Sequence, residues 1–513
     1  MKNTPEDFSR DKPGVDDETV LGPVVDVADL KRKSARGGLV TVVGQGLTIG
    51  IQLTSTVTLA RLLSPTDYGI IAMVMAVANF AGVFRDLGLS SAAIQKQNLT
   101  HAQQTNLFWL NVAVGGMLTL VVSAASPLVV WFYGKPELLW VTIALSFSFL
   151  IGSFGSQHGA LLVRNMQFGR NAIPGILGAL AGLVVSIFLA LRGWSYWALV
   201  WGNLSMAVVT TALLFVLSPF RPGWFRLRAG TLEMVKFGAN VTAFDFINYF
   251  HRNLDNVLIG KFVGADALGL YSRAYALLML PISNLRIPIS SVGFPALSRL
   301  QNQPGAFREY YRKIVHMLAL VSMPLTAFLF VASDEIVLLL LGVAWAGAVP
   351  IFAILALVAL IQPVITLWGI VVLSRGMGRR YVQIGVFNTM SSAIGFVAGL
   401  PWGVIGVATG YAIATYVTAI PTLMWAFLGT PVRLVDFFAG VARPFIASVV
   451  AAGITSVLAV QWSHLAVAVH VAVGGGVFVT IFSATLLILP GGRHEIHVIR
   501  SVVMSLIRSR SRS

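Results

Sequence analysis

The chain contains no cysteine. Disulfides, thiolate metal sites and a cysteine nucleophile are thereby excluded. It is also poor in charge: only 11% of its 513 residues are Asp, Glu, Lys or Arg, against about 25% in a soluble domain. Long hydrophilic segments are missing, and the polar connections around 218–234 and 298–313 run to only about 15 residues. A separate soluble catalytic domain has no room. That counts against membrane glycosyltransferases, polymerases and ligases, so the chain does not read as an enzyme. There is no Gly-Lys-Ser/Thr phosphate loop, hence no ATPase, and the eight histidines show no metal-site spacing. No cofactor is expected. The N-terminus is acidic and polar from Glu6 to Asp29 rather than a charged-then-apolar secretory signal.

What is present is apolar: 56% of residues are hydrophobic. Many runs reach the roughly 20 residues that span a bilayer as a helix. The expected fold class is an all-α integral membrane protein with about fourteen transmembrane helices. The net charge of +16 could point to nucleic acid, but its distribution argues otherwise. Basic residues collect ahead of the first span (Lys31, Arg32, Lys33, Arg36), after the last (Arg500, Arg508, Arg510) and in alternate loops (Arg164, Arg170, Arg312, Arg379). With an even number of spans these all fall on one side. This bias places both termini of a multi-pass membrane protein in the cytoplasm. The partners of these loops are anionic lipid headgroups, not nucleic acid. After Pro490 the tail spaces Ile496, Ile499, Val503 and Leu506 as in a helix lying on the inner leaflet; a frayed tail is the other reading.

Two segments 200 residues apart resemble each other. Arg61-Leu-Leu-Ser-Pro-Thr-Asp-Tyr-Gly69 matches Lys261-Phe-Val-Gly-Ala-Asp-Ala-Leu-Gly269. The first joins predicted spans one and two, the second spans seven and eight. An even offset gives parallel repeats, a known transporter plan. The predicted organisation is a cytoplasmic disordered tail (1–36), an N-terminal six-helix lobe (37–217), a cytoplasmic linker (218–234), a pseudo-symmetric C-terminal six-helix lobe (235–427), two further helices (428–489) and a basic cytoplasmic tail (490–513).

The most informative stretch is 237–299, where Asp245, Asn248, Arg252, Asp255, Asn256, Arg273 and Arg286 interrupt apolar sequence. Ionisable groups at membrane depth are costly and are kept for function or for buried pairing. At 100° per residue, Asp245, Asn248, Arg252, Asp255 and Asn256 fall in one stripe about 100° wide, while His251 and Asn253 fall outside it. The stripe faces a cavity or locks the helix to its neighbours. Arg252 has Asp255 and Asn248 at pairing distance along the helix. Arg273, about a turn past Gly269, either faces the cavity or snorkels to the outer interface. Arg286 lies between Pro281 and Pro288, which point to a bent helix lining a cavity. Arg85 and Asp86, at the inner end of the second span, either pair with each other or touch substrate. Arginines beside apolar walls suit an anionic amphiphile, because guanidinium grips phosphate with forked hydrogen bonds. Aspartates beside them could titrate or hold a cation, so H+ or Na+ coupling is possible. Trp131, Trp140, Trp194 and Trp197 read as interface anchors. Gly474-Gly-Gly476 reads as a close-packing site.

The run Asn253-Leu-Asp-Asn-Val-Leu-Ile-Gly-Lys-Phe-Val-Gly264, then Leu268-Gly-Leu-Tyr-Ser-Arg-Ala-Tyr275, then Gly293-Phe-Pro-Ala-Leu-Ser-Arg-Leu300, resembles the polysaccharide transporter family of the MOP flippase superfamily. Phe84-Arg-Asp-Leu-Gly-Leu-Ser-Ser-Ala-Ala-Ile-Gln95 fits it too. Members similar to this are Wzx-type exporters of O-antigen, colanic acid and related exopolysaccharides. The resemblance implies a V-shaped, two-lobed bundle of the MOP/MATE type. It implies flipping of undecaprenyl-pyrophosphate-linked oligosaccharide across the inner membrane by alternating access. It also implies a cationic central cavity, which Arg252, Arg273 and Arg286 match. The expected substrate-contacting set is thus Arg252, Arg273, Arg286, Asn248, Asn256 and Arg85. Asp245, Asp255 and Asp86 are expected to balance charge or couple an ion. Polysaccharide polymerase or chain-length proteins are possible partners. Two alternatives stand: a cation-coupled drug exporter of the same superfamily, and a non-transporting scaffold of a polysaccharide assembly complex.

Overall fold

The long apolar runs fold as helices, and among the described residues there is no strand. The structure, a computed structural model, describes residues 27–96, 98–226, 231, 253–462 and 464–490; for 27–43, 286–288 and 291 it describes backbone alone. The N-terminal half comprises α1 (Val27–Leu62), α2 (Pro65–Gly82), the short α3 (Leu89–Gln95), α4 (His101–Ala124), α5 (Ser126–Tyr133), α6 (Leu138–Arg164), α7 (Phe168–Leu191) and α8 (Tyr196–Leu217). The C-terminal half opens with α9 (253–262). It continues through α10 (Ala265–Arg299), α11 (Pro304–Val331), α12 (Ser333–Leu340), α13 (Val349–Ile365) and α14 (Trp368–Ser374). It ends with α15 (Gly378–Gly399), α16 (Gly403–Phe427), α17 (Leu434–Ala459) and α18 (Val467–Ile488).

Local chemistry sets the boundaries. Ser64 and Asp67 form a reciprocal capping box at the start of α2, with Pro65 in the first turn. Thr100 and Gln103 do the same for α4. Helix α1 starts at Val27, earlier than the predicted tail boundary at residue 36, because Leu30 to Arg36 is rich in helix-favouring Leu, Lys, Arg and Ala. Helix α10 runs unbroken through Pro281 and Pro288. The side chains of Ser283 and Asn284 donate to the carbonyls of Met279 and Leu280 one turn back. Nine helical stretches among the described residues are long and apolar enough to cross a membrane, one of them, Gly378–Phe427, being the pair α15–α16. Helices α1, α2 and α10 are not in that set, and they carry much of the polar wall described below. Trp131, Trp140 and Trp194 are exposed on the outside of the bundle, as interface anchors would be.

The apolar cores are unevenly shared between the halves. One large cluster joins them, running from Leu59 and Tyr68 through Val141 and Leu199 to Leu278, Trp345 and Phe352. The others stay within one half: Leu297 to Phe478 in the C-terminal half, and Leu89, Phe108 and Leu161 in the N-terminal half. The halves are therefore welded by packing at the end that carries the α1–α2 and α9–α10 turns.

That weld is reciprocal at the 200-residue offset. A Cβ on Gly69 would lie 1.7 Å from the carbonyl oxygen of Ala265, and one on Gly269 would lie 1.8 Å from that of Pro65. Only glycine permits this crossing of α2 and α10. Thr66 Oγ1 donates to Asp266 at 3.2 Å beside it. Arg61 donates to the Leu339 carbonyl at the end of α12 (2.6 Å), and its counterpart Lys261 donates to the Phe132 carbonyl at the end of α5. Trp345 Nε1 adds a buried bond to the Ala60 carbonyl at 2.7 Å. Gly134, at φ +70°, ends α5 in the left-handed conformation so that the chain can turn back into α6.

Candidate functional site

Below the weld lies a cavity of about 980 Å³, at the top of the range for small-ligand clefts, about 300–1,000 Å³. Its walls come from α1, α2, α7, α8, α9 and the first half of α10. The sequence builds the α1 wall simply. Gln45, Thr48, Gln52 and Ser55 recur at three- and four-residue spacing, so all four share one helical face, and all four line the cavity. Tyr68 and Leu59 close it at the weld.

Arg273 is the charged side chain among the described lining residues. It is half-buried, and its guanidinium lies 4.5 Å from the centre of the Tyr68 ring, an aromatic face that holds a cation without neutralising it. Its Nε is buried and has no hydrogen-bond partner among the described residues. The Nε has almost no exposed surface, so it is the rest of the side chain that lines the cavity wall. Arg273 therefore faces the cavity rather than snorkelling outward.

The other predicted residues divide. Asn256 lines the cavity beside Asn253, one turn earlier, which the predicted stripe excluded. Asp255 is turned away from that wall into the protein: it is 8% exposed and accepts a hydrogen bond from Tyr271 at 2.9 Å. The cavity face of α9 is thus centred nearer Asn253 than the stripe placed it. A second buried bond, Gln362 Nε2 to the Tyr411 hydroxyl at 2.7 Å, ties α13 to α16 in the same half. Asp86 is spent locally: it accepts from Ser90 N and Oγ, starting α3, and from Ser156 on α6. Arg85 is exposed, lies against Gly152 of α6, and is not part of the cavity wall. Asp245, Asn248 and Arg252 lie outside the described residues, and so does the side chain of Arg286.

Sequence reasoning missed most of the wall. Gln45 and Gln52 on α1, Asn79 on α2, Asn171 on α7 and Asn203 on α8 all line the cavity. Gln45 also donates across it to Asn284 of α10 at 2.9 Å. The signal was there in α1, as a stripe of uncharged polar residues rather than of charges. Among the described residues, no cluster of His, Asp or Glu could hold a metal ion.

Residues 58–350, more than half of the chain, match a family described as "Polysaccharide biosynthesis protein". The chain is 26% identical over 398 residues to the lipopolysaccharide biosynthesis protein WzxC of Escherichia coli K12, covering 76% of this chain and 80% of that protein. It is 28% identical over 376 residues to the teichuronic acid biosynthesis protein TuaB of Bacillus subtilis 168, covering 72% and 77%. Among solved structures, the inward closed conformation of the lipid II flippase MurJ superposes with a TM-score of 0.68 at 14% identity, covering 88% of this chain and 98% of that one. At that identity the likeness is one of fold.

Proposed function

From membership of the polysaccharide biosynthesis protein family, to which this chain belongs, we propose that it is a flippase for polysaccharide assembly. It moves undecaprenyl-pyrophosphate-linked oligosaccharide units across the bacterial inner membrane for exopolysaccharide, capsule or O-antigen synthesis. The observation that carries this is the cavity of about 980 Å³ with Arg273 at its sealed end. A guanidinium lining the cavity is suited to a diphosphate, and a long polar wall is suited to sugars.

The chain crosses the membrane fourteen times in this reading, as two six-helix lobes followed by two helices, with both termini cytoplasmic. Support comes from the reciprocal contacts of Gly69 and Gly269 and from the cores that join the halves at one end and stay separate at the other. Transport then proceeds by rocking the lobes, which exchanges the weld for an equivalent closure at the far end. Asp255 is the candidate for proton or sodium coupling, being a buried carboxylate tied to Tyr271 beside the cavity helix. The drug-exporter alternative is weaker, because the described lining offers a cationic drug no carboxylate.

The test is flipping of a labelled polyprenyl-diphosphate oligosaccharide in proteoliposomes. Wild type transports, Arg273→Ala loses about a hundredfold in rate, and Arg273→Lys recovers part of it. Transport by Arg273→Ala at the wild-type rate would sink the proposed anion seat. No transport by well-folded wild type would sink the flippase itself.

A further inference from the structure

The proposed anion seat draws on both halves of the repeat. At the 200-residue offset, Tyr68 of α2 corresponds to Leu268, and Arg273 of α10 corresponds to Met73. The N-terminal half supplies the ring and the C-terminal half the cation, while the pseudo-symmetric pair, Leu268 and Met73, is apolar and fully buried. The Arg273 guanidinium stands 4.5 Å from the centre of the Tyr68 ring, and both side chains line the cavity.

The ring is the fixed partner. Tyr68 is 5% exposed and meets Trp345 of the C-terminal half edge-on at 5.4 Å. Beside it, Asp67 accepts from Ser64 N at 2.9 Å, from Ser64 Oγ at 2.7 Å and from Ser195 Oγ, which ties this turn of α2 to the start of α8. An arginine has many rotamers, and ordering such a side chain before a ligand arrives is worth about two- to tenfold in affinity. An aromatic face does this without neutralising the charge. The benefit lasts only while α2 and α10 are together. When the weld parts, ring and cation leave with different halves, and the anion must order the arginine itself.

We propose that Tyr68 is a positioning residue that makes Arg273 a tight anion seat in the sealed conformation and a weaker one in the unsealed conformation, so that opening the weld itself promotes release of the diphosphate link. The inference rests on the flippase reading and adds how its anion seat lets go. Linkage gives the converse: a bound diphosphate holds the weld shut by the same factor.

The experiment uses the full chain in detergent, with farnesyl diphosphate as the probe and farnesol, the same tail without the charge, as control. Binding is read by calorimetry, and the state of the weld by maleimide labelling of Met73→Cys. Met73 is fully buried, off the described cavity wall and against Gly260 of α9, so its cysteine is reached when the halves part. Saturating diphosphate should slow labelling about fivefold, and farnesol should not. Tyr68→Phe keeps the aromatic face and should keep the slowing. Tyr68→Leu should bind the diphosphate about fivefold more weakly and label at one rate with or without it. Trp345→Phe weakens the weld but leaves the ring, so it should label faster throughout and still be slowed by diphosphate. A purely structural role would make Tyr68→Leu behave like Trp345→Phe, and that result would overturn the inference. So would a wild type that binds the diphosphate yet labels at an unchanged or faster rate. Diphosphate binding no tighter than farnesol would remove the anion seat, and this inference with it.

Discussion

Gly269→Ala tests the weld between the halves. The new methyl would sit 1.8 Å from the Pro65 carbonyl oxygen and 2.6 Å from its carbon, where real Cβ atoms keep at least 3.0 Å. The obstacle is backbone, so no side chain can swing aside. Helices α2 and α10 must part by 3.0 − 1.8 = 1.2 Å or more, which also stretches the Thr66–Asp266 bond already at 3.2 Å. Overpacking costs about 1–3 kcal/mol, and a backbone clash belongs at the upper end. If about 3 kcal/mol falls on the sealed conformation alone, the ratio of sealed to unsealed protein shifts by about a hundredfold. The lack of cysteine makes the readout clean. A single Ser55→Cys on the cavity wall, probed with an impermeant maleimide from the sealed side, should label slowly in the otherwise wild-type chain and much faster with Gly269→Ala added. Thermal stability in detergent should fall as well. Gly50→Ala is the control, because a Cβ there meets nothing within 4 Å. If Gly269→Ala matches that control in both labelling and Tm, the α2–α10 crossing is not what holds the end shut.

Two further outcomes follow from buried polar contacts. Trp345→Phe loses the Nε1 bond to Ala60 and leaves part of the buried indole's space empty, and should cost about 2–3 kcal/mol in thermal unfolding, with faster labelling at Ser55→Cys. Asp436 is 1% exposed, pairs with Arg308 at 2.6 Å and accepts from Arg433 N at the start of α17. Asp436→Ala should cost about 2 kcal/mol, discounted because Arg308 reaches solvent, and Asp436→Asn less because the cap survives; equal losses would show that the cap contributes nothing beyond the charge.

Much of the fold could be read in the sequence because bilayer physics leaves few choices. Backbone groups in hydrocarbon must pair within a segment, so long apolar runs become helices. The repeat at offset 200 was visible in nine residues, and its glycines are the ones the crossing requires. Less could be read where two rules compete. Pro281 and Pro288 each remove a backbone donor, yet α10 continues as helix through both, as a proline-bent helix does. The start of α1 was misplaced because basic residues were taken for tail, when Lys and Arg favour helix as readily as they mark a membrane face.

The site was harder to read, and the reason is physical. A charge in a membrane segment stands out because it is expensive, so the sequence points to Arg252, Arg273, Arg286, Arg85, Asp245, Asp255 and Asp86, with only Asn248 and Asn256 beside them. Asp255 accepts from Tyr271, Asp86 accepts from Ser90 and Ser156, and Arg85 lies off the cavity wall. Amides draw less attention, since they cost less to bury and recur in helix contacts, yet five helices place seven of them on the same space. Arg273 lines the cavity, rests on the Tyr68 ring and keeps one buried donor unmade, with no carboxylate paired to it among the described residues. In a membrane protein, then, charge alone is weak evidence of a binding site. Charge that the fold itself leaves uncompensated, facing a cavity, is the stronger evidence, and it is a property of partners that no linear spacing encodes.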